Sequence, residues 1–151
     1  MSYGPEDNGT MTQDAQHWIE GFEAMGAQTA TGALGAKMVS IDDEGVVLEI
    51  EITDAARQPY GLLHGGVSLL LAETAASTHS AWLCDTSKEV PVGVDINGTH
   101  ISGAREGRIH TIAKVVRKAR SLVFHEVDVV HVDTGRTLCK ARVTNYLKPI
   151  G

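Results

Sequence analysis

The stretch that most limits what this chain can become runs from Gln58 to Trp82. A loop, Gln58-Pro59-Tyr60-Gly61-Leu62-Leu63-His64-Gly65-Gly66, opens a segment in which nearly every residue from Gly66 to Cys84 is Ala, Leu, Val, Ser or Thr. This composition at this length predicts a helix, and a helix apolar around most of its circumference has to be buried. The rest of the chain must therefore wrap it. One side chain stands against the pattern: Glu73, in the middle of the helix.

The wrapping material is β-type. Lys37 to Ile41 and Val46 to Ile52 read as a hairpin across Asp42-Asp43-Glu44-Gly45, a turn whose glycine can supply a positive φ. In its second strand Val47, Glu49 and Glu51 alternate with Leu48, Ile50 and Ile52, giving one wet and one dry face. Beyond the helix come Val90 to Ile101, Arg108 to Val116, Leu122 to Val132 and Arg136 to Leu147, separated by short turns at 103–107, 117–121 and 133–135. Connections so short join antiparallel neighbours, because a parallel crossover takes about a dozen residues. The expected fold is α+β: a curved antiparallel sheet of about six strands around one long helix. Ahead of it, from Asp14, Trp18, Phe22 and Met25 recur at helical spacing and Gly26 stops a short amphipathic helix. Residues 1–12 have the polar composition of a disordered tail, and 13–151 read as a single domain.

Several function classes are disfavoured. A net charge of -6 argues against general nucleic-acid binding. No apolar run has the length of a membrane span and no signal peptide is visible, so the expectation is a cytoplasmic protein away from membranes. Cys84 and Cys139 form no C-x-x-C pair. His125 and His131 share a strand face but belong to no metal-ligand pattern, so no metal is expected; His79 and His100 show no readable role.

Glu73 then calls for a reason. A buried carboxylate costs several kcal/mol unless paired, and partial loss of water makes such a group more basic and more nucleophilic. Ser77, four residues on, is the one polar neighbour on the same face; the competing reading has Glu73 at the helix edge, reaching solvent. At the helix start, Gly65-Gly66 allows close approach to backbone N–H groups that lack internal partners and can bind an anion or developing oxyanion. It is equally a tight turn without a ligand, and His64 equally a structural hydrogen-bonding residue. Glu73 follows Gly65 by eight residues, about 12 Å along the axis. One substrate carbon cannot touch both in one subunit, so cooperation between them requires a dimer with its sites at the interface. Arg117, Lys118, Arg120 and Ser121 form the densest basic cluster, suited to phosphates or simply a solvated turn.

These residues resemble a known family. His64-Gly65-Gly66 with a carboxylate seven positions after the second glycine, followed by Arg105-Glu106-Gly107 and Val116-Arg117-Lys118-Ala119-Arg120, is similar to the hotdog-fold acyl-CoA thioesterases of the phenylacetate-pathway type. Within them the likeness is greatest to the glutamate-bearing 4-hydroxybenzoyl-CoA thioesterases of aromatic degradation. The resemblance covers roughly Lys37 to Leu147 and implies a helix lying in a curved sheet, paired subunits and a dimer of dimers. It implies that the Gly65 N–H polarises the thioester carbonyl while the partner's Glu73 attacks it or activates water. Gln58 and His64 would shape the oxyanion end, and Ser77 would orient Glu73 or hold the water. Gly93, Val94 and Asp95 would line the acyl pocket and the basic turn would bind CoA, which is substrate; no cofactor is implied. Two other readings stay open: a hotdog hydroxyacyl-thioester dehydratase, although the longer G-H-F-P-G loop is absent, and a non-catalytic acyl-CoA-binding module, for which Glu73 would have no use.

Overall fold

A computed structural model describes residues 13–151; the segment 1–12, expected to be disordered, lies outside the described residues. The elements are α1 (Gln13–Gly26), α2 (Ala30–Ala33), β1 (Lys37–Ile41), β2 (Gly45–Glu51), a 3-10 turn (Asp54–Ala56), α3 (Gly65–Trp82), β3 (Glu89–His100), β4 (Arg108–Lys118), β5 (Leu122–His131) and β6 (Thr137–Pro149). All six strands form one antiparallel sheet in the order β1-β2-β4-β5-β6-β3. It curves around α3, the expected hotdog arrangement. The inward rows of the strands, among them Leu48, Ile50, Ile109, Val127, Val129 and Val143, meet Leu71, Ala72, Ala75 and Ala76 of α3 in one core. A small residue of β3 lets Leu69 of α3 come close to the sheet: a Cβ added to Gly98 would lie 2.8 Å from Leu69 Cδ2.

Three local expectations are corrected. The β1–β2 turn does not use a positive φ at Gly45; the Asp42 carboxylate accepts the N–H groups of Glu44 and Gly45 at 2.8 and 3.0 Å, which closes the turn without it. Met25 does not join the buried face of α1, since it is 86% exposed, whereas Trp18 and Phe22 pack on the core. Trp18 meets Trp82 edge to face at 5.7 Å, and the Trp82 indole donates to Asp43 at 2.9 Å, so α1, α3 and the β1–β2 turn are tied together. Thirdly, α3 is not buried all round. Ser68, Leu71, Ala72, Ala75, Ala76, His79 and Ser80 are covered, but a stripe through Leu70, Glu73, Thr74, Ser77 and Ala81 is only half-buried.

Among the strands, β3 is the one without a fully buried residue. It ends the sheet and pairs only with β6 among the described residues. Along it Val90, Val92 and Val94 are exposed while Pro91, Gly93 and Ile96 turn partly inward. The register slips between Gly93 and Asp95, so Val94 is the extra residue of a bulge.

Candidate active site

The start of α3 is set by His64, whose extended backbone (φ -67°, ψ 128°) places it as N-cap. Its Nδ1 accepts the Gly66 N–H at 2.8 Å, so Nδ1 carries no proton there. His64 O accepts from Val67 N at 3.0 Å and Ser68 N at 3.3 Å. That leaves the Gly65 N–H as the uncommitted donor at the positive end of the helix among the described residues. The entry loop is held by His64 N to Ala56 O and Leu63 N to Ala104 O, both 2.8 Å. Gln58 closes its own turn: its Oε1 accepts the Tyr60 N–H, and its backbone binds Leu62 O and Gly61 N. The His100 imidazole, at the end of β3, lies over Gly65, where a Cβ would come within 2.6 Å of its Nε2. Glycine at 65 thus makes room for the imidazole over the helix start.

Glu73 sits two turns farther along on the half-buried stripe. No hydrogen bond or ion pair reaches its carboxylate among the described residues. The carboxylate lies over Gly93: a Cβ there would overlap Glu73 Oε1 and lie 3.2 Å from its Cδ. Gly93, at the β3 bulge, therefore makes room for the carboxylate within the same protomer, while Val94 and Asp95 point out to solvent. Ser77, one turn on, accepts a hydrogen bond at 2.8 Å from the amide nitrogen of Asn145 on β6. The sequence reading missed Asn145, yet its signal was present: in Val143, Asn145 and Leu147 a polar residue occupies an inward position of an otherwise apolar row.

The basic turn lies apart from Gly65. Ser121 O accepts from Leu147 N and Ala119 N bonds Leu122 O, both at 2.8 Å, and Lys118 is close enough to Cys84, just past the C-terminus of α3, to influence its thiol. Arg117, Lys118 and Arg120 are exposed and carry no ion pair among the described residues. In one protomer, then, Gly65 is at one end of α3, the basic turn at the other and Glu73 between them. Burial pushes the thiols of both Cys84 and Cys139 up, the opposite of what a nucleophilic cysteine requires.

His79 and His125 meet in the core, again unanticipated. His79 Nε2 donates to Asp42 O at 2.8 Å, so its Nδ1 accepts from His125 Nε2 at 2.7 Å, and His125 Nδ1 is left buried without a partner. Burial holds both rings below the usual histidine range, His125 down to about 3, with His79 adding to the effect on His125. Both are neutral structural groups.

An uncommitted backbone donor and an uncommitted carboxylate on one helix are parts suited to acyl transfer. Comparison with known proteins agrees. Residues 60–139 match the family model described as Thioesterase superfamily. The chain is 31% identical over 129 residues to a 1,4-dihydroxy-2-naphthoyl-CoA hydrolase of Escherichia coli, covering 85% of this chain and 93% of the relative. A crystal structure of a mutant thioesterase PA1618 from Pseudomonas aeruginosa superposes with a TM-score of 0.84 at 30% identity, covering 87% of this chain and 94% of that one. A thioesterase from Haemophilus influenzae superposes with a TM-score of 0.82 at 25% identity, over 87% and 91% of the two chains.

Proposed function

The chain belongs to the thioesterase superfamily, and on that premise we propose that it hydrolyses a hydroxylated aromatic acyl-CoA thioester, 4-hydroxybenzoyl-CoA first among the candidates, to the free acid and CoA. The observation that carries the reading is Glu73: a half-buried carboxylate, sterically placed against Gly93 and left without a partner among the described residues. A structural carboxylate would be paired. The Gly65 N–H polarises the thioester carbonyl, assisted at that end by Gln58 and His64, and Glu73 supplies the negative group. In the favoured route a Glu73 oxygen bonds to the acyl carbon, the C–S bond breaks, CoA leaves as thiolate and takes a proton from water, and a second water cleaves the mixed anhydride. In the other route Glu73 removes the proton from the attacking water. Single turnover in ¹⁸O-labelled water tests for the anhydride: label in Glu73, left when water attacks the Glu73 carbonyl of the anhydride, is a mark the general-base route cannot produce.

The two halves of the site are two turns apart on one helix, so they join through a second subunit. The free edge of β3, with exposed Val92 and Val94, is the surface we assign to that pairing; it lies beside Glu73 through Gly93. Gly65 of one protomer then faces the partner's Glu73, with Arg117, Lys118, Arg120 and Ser121 available to the phosphates of CoA, and dimers associate as a dimer of dimers. The Escherichia coli relative acts, by its name, on a bicyclic hydroxyaryl thioester, which favours 1,4-dihydroxy-2-naphthoyl-CoA as the second substrate to try. The test is thiol release over 4-hydroxybenzoyl-, 1,4-dihydroxy-2-naphthoyl-, phenylacetyl- and fatty-acyl-CoA. A fatty-acyl preference overturns the aromatic assignment; full activity of Glu73→Ala overturns the mechanism.

A further inference from the structure

Asn145 is fully buried in the inward row of β6, between Val143 and Leu147, which are each 1% exposed. An amide in such a place costs free energy unless its hydrogen bonds are made, and an aliphatic side chain would fill the space without that cost. Its bonds go to two serines of α3: Nδ2 donates to Ser77 Oγ at 2.8 Å and Oδ1 accepts from Ser80 Oγ at 3.3 Å. Across the β3–β6 ladder its register partner is Gly93, the residue that makes room for Glu73. The amide therefore lies next to the carboxylate's seat on the strand and reaches Ser77, one turn from Glu73 on the helix.

The direction of the bond matters. Since Ser77 Oγ accepts from Asn145, its own proton is not used in that bond. Thr74 spends its hydroxyl proton on the carbonyl one turn back, donating to Leu70 O at 2.8 Å, whereas Ser77 makes no such bond among the described residues. Helical side chains lean toward the N-terminus, which sets Ser77 over the turn that carries Glu73.

We propose that Asn145 is a positioning residue for the reaction: by donating to Ser77 Oγ it leaves that hydroxyl's one proton to be donated to Glu73 or to the water that completes hydrolysis. This rests on Glu73 being the reacting carboxylate. Asn145 touches no substrate and acts only through Ser77, so the two should behave as a unit.

A double-mutant cycle on the purified full chain tests this, with thiol release from 4-hydroxybenzoyl-CoA and 1,4-dihydroxy-2-naphthoyl-CoA as the assay. Ser77→Ala and Asn145→Leu should each lower kcat about tenfold with KM within about twofold, and the double variant should fall no more than about twofold further. Losses that multiply to about a hundredfold, or an unchanged kcat in folded Asn145→Leu, overturn the proposal. Circular dichroism identifies a variant that does not fold, and then Asn145→Asp carries the test. Aspartate still accepts from Ser80 but, once ionised, cannot donate to Ser77. Its kcat should decline with rising pH relative to the native protein, and a native pH profile overturns the proposal. Glu73→Ala is run in parallel: if it retains activity, the assignment of the reacting group fails and takes the proposal with it. If it is inactive while Asn145→Leu is unaffected, only the role of Asn145 fails.

Discussion

Two ionisable side chains interrupt the apolar surface of α3, six residues apart, and the protein treats them differently. His79 is fully enclosed and both ring nitrogens are engaged, one with Asp42 O and one with His125. Glu73 is half-buried and unpaired among the described residues, resting against the bare backbone of Gly93. A polar group whose bonds are all made within the protein is doing structural work; one without a partner keeps its lone pairs for something else. The contrast separates a stability element from a candidate catalytic group on the same helix.

The sharpest way to break that contrast is to remove Glu73. Glu73→Ala should lower kcat by about 10³-fold or more, in the range for loss of a central acid–base or nucleophilic group, while its Tm stays at or above the native value. A large fall in Tm would show that the carboxylate was structural after all. Next in size is Gly93→Ala, whose methyl group takes the space of Glu73 Oε1. Moving the carboxylate by about 1 Å should reduce kcat about 10²-fold with little change in the denaturation midpoint, and native kinetics would mean the carboxylate's seat is unimportant.

The histidine side should give the opposite result. His79→Ala leaves Asp42 O and His125 without their partner and should cost about 2 kcal/mol in urea unfolding, with kcat of the folded protein within about twofold of native. Acid probes the same pair. Burial holds His125 near 3 in the folded state, against 6.5 when exposed, so between those values the unfolded chain takes up the proton and the folded one does not. Stability is therefore complete above about pH 6.5 and declines as the pH falls toward 3, by at most about 1.4 kcal/mol per pH unit for this group. His79, also held low mainly by burial, adds in the same direction. Tm measured from pH 7.5 to 4 should fall less steeply in His125→Leu than in the native chain; equal slopes would remove the pair from the account.

Much of this could be read from the sequence because it is written locally. The compositional run at α3, the period-2 alternation of β2 and the short turns between β3, β4, β5 and β6 lead to the observed sheet, with element ends displaced by a residue or two, as at Glu89 for Val90. The short α2, Ala30–Ala33, has no apolar periodicity to betray it and reads as loop. Glu73 stood out because one charge in an apolar helix violates a pattern. Its relation to Gly93 did not, because a glycine gives no sign of which side chain will occupy the space it leaves. The His79–His125 contact spans 46 residues and forms only when β5 closes over α3. Asn145 lies between the two cases: its inward position was legible, but its bond to Ser77, 68 residues away, was not.

The strand order has a consequence for how the molecule comes to be. β3 follows α3 directly in the chain, yet its partner is β6, with Glu89 opposite Pro149 and His100 opposite Cys139. A chain emerging from the ribosome thus exposes both its most apolar helix and an unpaired strand until the last strand has been made, while β4 and β5 can form a hairpin at once. Closure depends on contacts of long sequence separation, the slow kind in folding and the kind most open to association with other chains. Synthesis halted before Thr137 would leave α3 uncovered along β6, so the cradle of the carboxylate is among the last features of the native state to be completed.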